Sequence, residues 1–136
     1  MIFALYTDGG ARGNPGPAAW GFVIYQNRNL IAQGSGYLGH TTNNVAEYTA
    51  CVEGLRHIKN TWGLGHTIHC YADSQLLIEQ LNGRYKVKAA HLKPLIETIH
   101  ALTFEQTVTF DHIRREKNTE ADKLVNITLD KQPPTP

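Results

Sequence analysis

The sequence predicts an α/β domain built on a mixed five-stranded sheet that is flanked by helices. Three apolar segments joined by short connections, residues 2–7, 18–25 and 30–37, predict an antiparallel meander. Segments of helical length then precede each of two further strands, 67–72 and 107–113, which indicates crossover connections and parallel pairing. The order βββαβααβα therefore predicts three antiparallel strands followed by two parallel ones.

Each helix is predicted from its apolar spacing or its end signals. In residues 44–59, Tyr48, Val52 and Leu55 recur at helical intervals, and residues 75–81 form a short helix before Asn82-Gly83. Two further helices are expected over 92–102, where Pro94 is tolerated in the first turn, and from Ala121 to Thr128. Residues 9–17 hold four glycines and two prolines and are predicted to form a loop.

The composition indicates a globular protein of one domain. The chain has 136 residues, a net charge of +1, 41% hydrophobic and 18% charged residues, and no apolar stretch long enough for a membrane span. We expect the domain to cover 1–130 and the Pro-rich tail, 131–136, to be disordered. Cys51 and Cys70 are too few for a disulfide scaffold, and no secretion signal opens the chain, so a cytoplasmic monomer with buried thiols is expected.

Four carboxylates stand out because apolar or turn sequence surrounds them. Asp8 and Asp73 each follow a predicted strand, and if these strands are parallel neighbours both carboxylates emerge at one sheet edge. Glu47 lies in the first turn of the long helix at the border of its buried stripe, where an unpaired charge is costly and a counter-charge is implied. Asp122 opens the last helix. Alternative roles remain for all four: a tight turn at Asp8, the macrodipole at Glu47, an N-cap at Asp73-Ser74 and a capping box over Thr119-Glu120-Ala121-Asp122.

The four acids together favour a metal site over these separate roles. Carboxylates gathered at one edge would repel one another unless cations lay between them, and oxygen-only ligands suit Mg²⁺ or Mn²⁺. Two such ions would support an in-line phosphoryl displacement. His66, His69 and Cys70 alternate along a strand and are interpreted as a packing pattern, not a zinc site.

Motifs spread over about 120 residues carry a resemblance to a known family. They begin with Tyr6-Thr7-Asp8-Gly9-Gly10-Ala11-Arg12-Gly13-Asn14-Pro15-Gly16-Pro17 and continue with Thr41-Thr42-Asn43-Asn44-Val45-Ala46-Glu47, Ala72-Asp73-Ser74-Gln75 and His112-Ile113-Arg114-Arg115-Glu116-Lys117-Asn118-Thr119-Glu120-Ala121-Asp122-Lys123-Leu124. In this order the motifs resemble type 1 ribonuclease H, and with Tyr85-Lys86-Val87-Lys88 they are similar to its compact archaeal-type and bacterial subgroup.

The resemblance implies a ribonuclease H-like fold and cleavage of the RNA strand of RNA/DNA hybrids, leaving 5′-phosphate and 3′-hydroxyl ends. It implies that Asp8, Glu47, Asp73 and Asp122 are catalytic and bind two Mg²⁺ ions, with Mn²⁺ as substitute. Side activity on double-stranded RNA is implied by some compact relatives, and a non-catalytic hybrid-binding module is the alternative. The implied substrate-binding residues are Gly10, Arg12, Asn14, Thr42, Asn43, Asn44, Ser74, Gln75, Lys86, Lys88, Arg115 and Asn118.

Three of these assignments leave alternatives open, and one family feature is missing. Asn43 and Asn44 also suit a helix N-cap, Asn14 suits a turn, and the basic stretch suits a solvated surface. Many relatives carry a histidine in a loop before the last aspartate, but none occurs within nine residues upstream of Asp122. Glu116 or Asn118 is the available replacement.

Overall fold

A five-stranded mixed sheet organises the computed structural model, which describes residues 1–132. The strands are β1 (Ile2–Ala11), β2 (Gly16–Gln26), β3 (Asn29–Thr41), β4 (Thr67–Ala72) and β5 (Thr107–His112). The sheet order is β3-β2-β1-β4-β5: β1, β2 and β3 pair antiparallel, while β4 pairs parallel with β1 and β5. The predicted fold class and element order are confirmed.

Four helices cover the two faces of this sheet. They are α1 (Asn43–Trp62), α2 (Gln75–Leu81), α3 (Lys93–Thr103) and α4 (Thr119–Asp130), with 3₁₀ turns at Ala90–Leu92 and Arg115–Lys117. The main core joins α1, α2 and α3 to one face, where alternate β1 residues Phe3 and Leu5 are fully buried. On the other face α4 packs Val125 and Leu129 against Ala19 of β2.

The predicted loop over residues 9–17 is wrong, because β1 continues to Ala11 and β2 begins at Gly16. Gly9 is required by the close approach of α1 to β1, whereas Gly13 lies in the connection itself with a φ of 97°. A Cβ on Gly9 would lie 2.2 Å from the carbonyl carbon of Ala46, so β1 and α1 touch there backbone to backbone. Only residues 12–15 connect the two strands, and Arg12 N–H closes the hairpin on the Pro17 carbonyl at 2.8 Å.

Several predicted boundaries move by a few residues. The α1 helix extends beyond the predicted 44–59, and its N-cap is Thr42, whose Oγ1 accepts from Val45 N–H at 3.2 Å. The alternative of an Asn43-Asn44 cap is therefore wrong. The alternative of a capping box at Thr119 is also wrong, because Asn118 is the N-cap of α4 and makes no side-chain cap bond.

The predicted tail over 131–136 is described only in part. The N–H groups of Lys131 and Gln132 donate to the carbonyls of Ile127 and Leu129, and so continue the end of α4. The remainder, 133–136, lies outside the described residues. Within residues 1–132 no helix is both long enough and apolar enough to cross a bilayer.

Candidate active site

Three carboxylates meet at the edge of the sheet where β1 and β4 end. In the parallel ladder Thr7 lies opposite Ala72, so the next residues, Asp8 and Asp73, emerge side by side. Glu47 reaches the same place from the second turn of α1. Each of the three acids offers a carboxylate oxygen, and these oxygens all lie within 4.8 Å of one another. A single cation can therefore contact all three.

The fourth predicted carboxylate, Asp122, lies beside this cluster. It belongs to the first turn of α4 and lines the same cavity, of about 550 Å³, as the other three acids. Its charge is close enough to contribute to the raised pKa of Asp8. The structure thus places all four acids around one cavity, with three in a tight group and Asp122 next to Asp8.

The electrostatics of the cluster are those of a site that lacks a compensating charge. Burial, followed by the charges of Asp73 and Asp122, raises the pKa of Asp8 to about 8. Burial and the charges of Asp8 and Asp73 raise the pKa of Glu47 well above its ordinary value. Burial also raises the pKa of Asp73, although the nearby Arg115 guanidinium opposes this increase.

No salt bridge found in residues 1–132 involves these acids, and the Oε2 atom of buried Glu47 has no hydrogen-bond partner there. The counter-charge expected for Glu47 is thus not supplied by a basic side chain in the described part of the chain. An oxygen-only ligand set with an unpartnered buried oxygen fits a hard divalent cation.

Two amide side chains at the rim of the cavity, those of Asn14 and Asn43, accept hydrogen bonds from backbone N–H groups. The Asn43 Oδ1 accepts from Ala11 N–H at 2.7 Å, and the Asn14 Oδ1 accepts from Asn43 N–H at 3.1 Å. These bonds tie the β1–β2 connection to the start of α1. Since each Oδ1 is occupied within the protein, the two Nδ2 groups remain as donors towards a ligand.

The other predicted substrate-binding residues divide by position. Gly10, Arg12, Asn43, Asn44, Ser74 and Arg115 line the cavity. Thr42 caps α1 instead, and Ser74 caps α2 by accepting from Leu77 N–H at 3.2 Å. Gln75 is exposed at the start of α2, and Lys86 and Lys88 are exposed on the segment after α2, outside the cavity lining.

The substrate-binding role predicted for Asn118 is contradicted by its burial. Its side chain is 1% exposed, and its Nδ2 donates to the Thr7 carbonyl at 2.8 Å. Asn118 is held beneath the surface of the site because it joins the start of α4 to β1. It therefore cannot replace the missing loop histidine as a substrate contact.

Comparison with known proteins places the chain in a family. The family model described as reverse transcriptase-like matches residues 6–128. The structure of LC11-RNase H1 in complex with RNA/DNA hybrid superimposes with a TM-score of 0.91 at 42% identity, covering 95% of this chain and 97% of that one. The structure of RNase H1 from the archaeon Halobacterium salinarum superimposes with a TM-score of 0.91 at 33% identity, covering 97% of this chain and 100% of that one. The chain belongs to the type 1 ribonuclease H family.

This result confirms the predicted family, including its archaeal-type relatives. A bifunctional protein of Mycobacterium tuberculosis is also similar, at 37% identity over 96% of this chain. The chain spans only 36% of the length of that relative.

Sequence reasoning missed one polar residue of the ribonuclease H site, Asn126. It lines the cavity, its Nδ2 donates to the Asp122 carbonyl at 3.1 Å, and its Oδ1 lies 3.5 Å from the Arg12 guanidinium. The Arg12 side chain also pairs with Asp130 at 2.6 Å. Helical spacing would have found Asn126, because it follows Asp122 by four residues and so shares its face of α4.

Two structural features predicted away from the acidic cluster are confirmed. Cys51 and Cys70 are buried free thiols. His69 Nδ1 bonds to the Thr109 hydroxyl at 2.8 Å and His66 Nε2 to the Trp62 carbonyl at 2.8 Å, as expected for a packing pattern.

Proposed function

We propose that this chain hydrolyses the RNA strand of RNA/DNA hybrids with two divalent cations, leaving 5′-phosphate and 3′-hydroxyl ends. The observation that carries the proposal is the convergence of Asp8, Glu47 and Asp73 within 4.8 Å, with Asp122 beside them. The family and its hybrid-bound member LC11-RNase H1 support the substrate. Residues 1–130 form the proposed ribonuclease H domain.

The four carboxylates would hold the cations at the end of β1. Bound there, Mg²⁺ or Mn²⁺ would activate the attacking water and neutralise charge on the leaving oxygen. Asp8 is central because its carboxylate neighbours both Asp73 and Asp122. Glu47 adds a buried oxygen that no group in residues 1–132 satisfies. Since all four ligands come from one chain, the site supports action as a monomer.

The rim amides supply the proposed recognition of the hybrid. Asn14 and Asn43 use their Oδ1 atoms within the protein, so each offers an Nδ2 donor. Donors of this kind suit the acceptors of a minor groove, where the 2′-hydroxyl distinguishes RNA from DNA. Asn44, with Gln75 on the exposed start of α2, extends this polar rim. Recognition through acceptors that every base pair presents would be largely independent of sequence.

Positive side chains flank the carboxylates and would position the phosphates. Arg115 lines the cavity close enough to Asp73 for its charge to oppose the rise in the pKa of that carboxyl, and Arg12 also lines the cavity. Lys86 and Lys88 lie on an exposed segment outside the cavity. There they would contact phosphates of the DNA strand of the hybrid. Phosphate contacts would provide affinity, while the amides would provide selection for RNA.

The decisive test is cleavage of an end-labelled RNA/DNA hybrid with Mg²⁺ or Mn²⁺, with and without chelator. We expect cutting of the RNA strand by the wild type, loss of cutting with chelator, and a loss of at least about 100-fold in Asp73→Asn. Asp111→Asn is the matched control, because Asp111 is exposed on β5 and does not line the cavity.

Two results would overturn the proposal. Equal cleavage by Asp73→Asn would remove the metal site from the reaction. Tight hybrid binding without cutting at any Mg²⁺ or Mn²⁺ concentration would favour the non-catalytic module instead. Electrophoresis of the products beside ladders of known end chemistry checks the 5′-phosphate.

We also propose a weaker activity on double-stranded RNA. The Nδ2 donors of Asn14 and Asn43 would bond to minor-groove acceptors of the RNA strand, including its 2′-hydroxyls, and an RNA duplex also presents these groups. A competition between labelled hybrid and labelled RNA duplex, at one fixed salt concentration, measures the preference. Absence of any duplex cleavage at enzyme excess would reject this side activity.

A further inference from the structure

Asn118 bonds both to the strand that carries Asp8 and to the helix turn that carries Asp122. Its side-chain Nδ2 donates to the carbonyl of Thr7 at 2.8 Å, across 111 residues of sequence. Thr7 immediately precedes Asp8. The side chain is 1% exposed, so water competes little for this bond. Asn118 therefore ties the start of α4 to the backbone of β1 directly beside the catalytic carboxylate.

The main chain of Asn118 continues the connection to Asp122. The carbonyl of Asn118 accepts from the Asp122 N–H at 3.2 Å, which forms the first turn of α4. On its other side, Asn118 N–H donates to the Arg115 carbonyl at 3.0 Å and so closes the preceding 3₁₀ turn. A short bonded path thus runs from Thr7 through Asn118 to Asp122.

The side chain of Asn118 does not cap α4, although Asn118 occupies the N-cap position of that helix. Asparagine at a helix N-cap ordinarily accepts from a backbone N–H of the first turn. Here Asn118 makes no cap bond, and its buried Oδ1 has no partner in residues 1–132. The amide is directed to β1 instead, at the expense of capping α4.

The hydrogen bond from Asn118 to Thr7 opposes the repulsion between two carboxylates, Asp8 and Asp122. Asp8 follows Thr7 at one end of the bonded path, Asp122 lies at the other end, and the two carboxylates repel each other when both are ionised, which favours movement of α4 away from β1. We propose that Asn118 is a positioning residue: its Thr7 hydrogen bond fixes the separation of Asp8 and Asp122 in the arrangement that holds the divalent cation. This inference rests on the proposed function of the same site.

A positioning role predicts a particular kinetic signature. Loss of the tie should lower kcat and weaken metal binding, because both depend on the placement of carboxylate oxygens. It should leave KM for the hybrid nearly unchanged, because the side chains of Asn14 and Asn43 hydrogen-bond to the backbone of Asn43 and Ala11, and no hydrogen bond found in residues 1–132 joins either side chain to Asn118. A residue that only stabilised the fold would leave kcat and metal affinity of the folded protein intact.

The test variant is Asn118→Ser. Serine is a favoured N-cap residue, so it can cap α4, but it is too short to reach the Thr7 carbonyl as asparagine does. We expect a melting temperature near that of the wild type, KM within about twofold, a kcat decrease of about 10- to 100-fold and Mg²⁺ affinity about tenfold weaker by calorimetry. Asn118→Leu, which keeps a similar shape but has neither donor nor charge, should show the same losses.

The matched control is Gln106→Ala. Gln106 bonds through its side chain to the backbone of His66 and Gly63, at 2.8 and 2.9 Å, but at the opposite edge of the sheet. We expect its kcat and Mg²⁺ affinity to equal those of the wild type at a temperature where the variant is folded.

Three outcomes decide the inference. Wild-type kcat and Mg²⁺ affinity in folded Asn118→Ser would overturn it, and so would equal losses in Gln106→Ala. If the serine variant melts below the assay temperature, Asn118→Leu provides the same comparison. If the wild type itself does not cut hybrids, the proposed function fails, while unequal Mg²⁺ affinities of wild type and Asn118→Ser still support the tie.

Discussion

Substitution of Asp8 by asparagine should stabilise the metal-free protein while removing its activity. In the absence of cations the fold brings Asp8, Glu47 and Asp73 together, and burial and repulsion raise the pKa of all three. The amide of asparagine has nearly the same shape as the carboxyl group but carries no charge. The variant therefore removes repulsion without creating a cavity.

The size of the effect follows from the pKa of Asp8, which rises from 3.8 in the unfolded chain to about 8 in the fold. A raised carboxyl pKa contributes stability fully below pH 3.8, and this contribution is lost as the pH rises to about 8. Each pKa unit corresponds to about 1.4 kcal/mol, so at pH 7 the fold is destabilised by about 4 kcal/mol through Asp8. The amide is a poorer partner than a protonated carboxyl for Asp73 and Asp122, so the expected gain is about 2–4 kcal/mol.

Urea unfolding in the presence of chelator, followed by circular dichroism at pH 5, 6, 7 and 8, measures this gain. The free energy of unfolding of the wild type should fall between pH 5 and 8 more steeply than that of Asp8→Asn. Added Mg²⁺ should stabilise the wild type in proportion to its affinity and should have little effect on the variant. Asp111→Asn, at an exposed position, should behave like the wild type throughout.

The reasoning would be refuted if Asp8→Asn were no more stable than the wild type at pH 7 without metal. It would equally be refuted if the two proteins showed the same pH dependence between pH 5 and 8. Either result would mean that the Asp8 carboxyl does not carry the electrostatic strain that its surroundings indicate.

Two further predictions concern packing and phosphate contacts. Gly9→Ala should lower the free energy of unfolding by about 2 kcal/mol or more and reduce cleavage, because the new Cβ would lie 2.2 Å from the α1 backbone. Gly10→Ala, whose Cβ would meet its nearest atom at 3.8 Å, should unfold in urea like the wild type, and equal melting of the two variants would contradict the prediction. Neutralising Lys86 and Lys88 together, in an Asp73→Asn background that does not cut, should weaken hybrid binding and reduce the salt slope by up to about 2. An unchanged slope in a fluorescence-anisotropy titration would assign both lysines to the solvated surface.

The sequence predicted most of the fold because its periodicities are local and unambiguous. The strand over 67–72 and the helix over 75–81 have the predicted boundaries. The error over residues 9–17 arose because glycine commonly marks a loop, whereas Gly9 lies in β1 where α1 approaches the strand. Gly9 and Ala46 are 37 positions apart in the sequence, so no local sequence pattern indicates their contact.

The carboxylates of the site could be predicted from the sequence, but the hydrogen bonds that hold them in place could not. Asp8 and Asp73 follow strands whose parallel pairing puts them together, so topology alone anticipates their contact. The role of Asn118 could not be read in this way, because its bond to Thr7 depends on how α4 packs over β1. The resemblance suggested a substrate contact there, and burial shows otherwise.

The three segments that carry Glu47, Asp73 and Asp122 are each fixed to their surroundings by a different contact. The backbone contact at Gly9 holds the start of α1 and with it Glu47 against β1, and the Ser74 cap fixes the turn that follows Asp73. Asn118 fixes the turn that leads to Asp122. Because the carboxylates repel one another without metal, these contacts must hold the site open to a cation against a force that would disperse it. The strength of these contacts, and not the acids alone, therefore determines how well the site is preorganised.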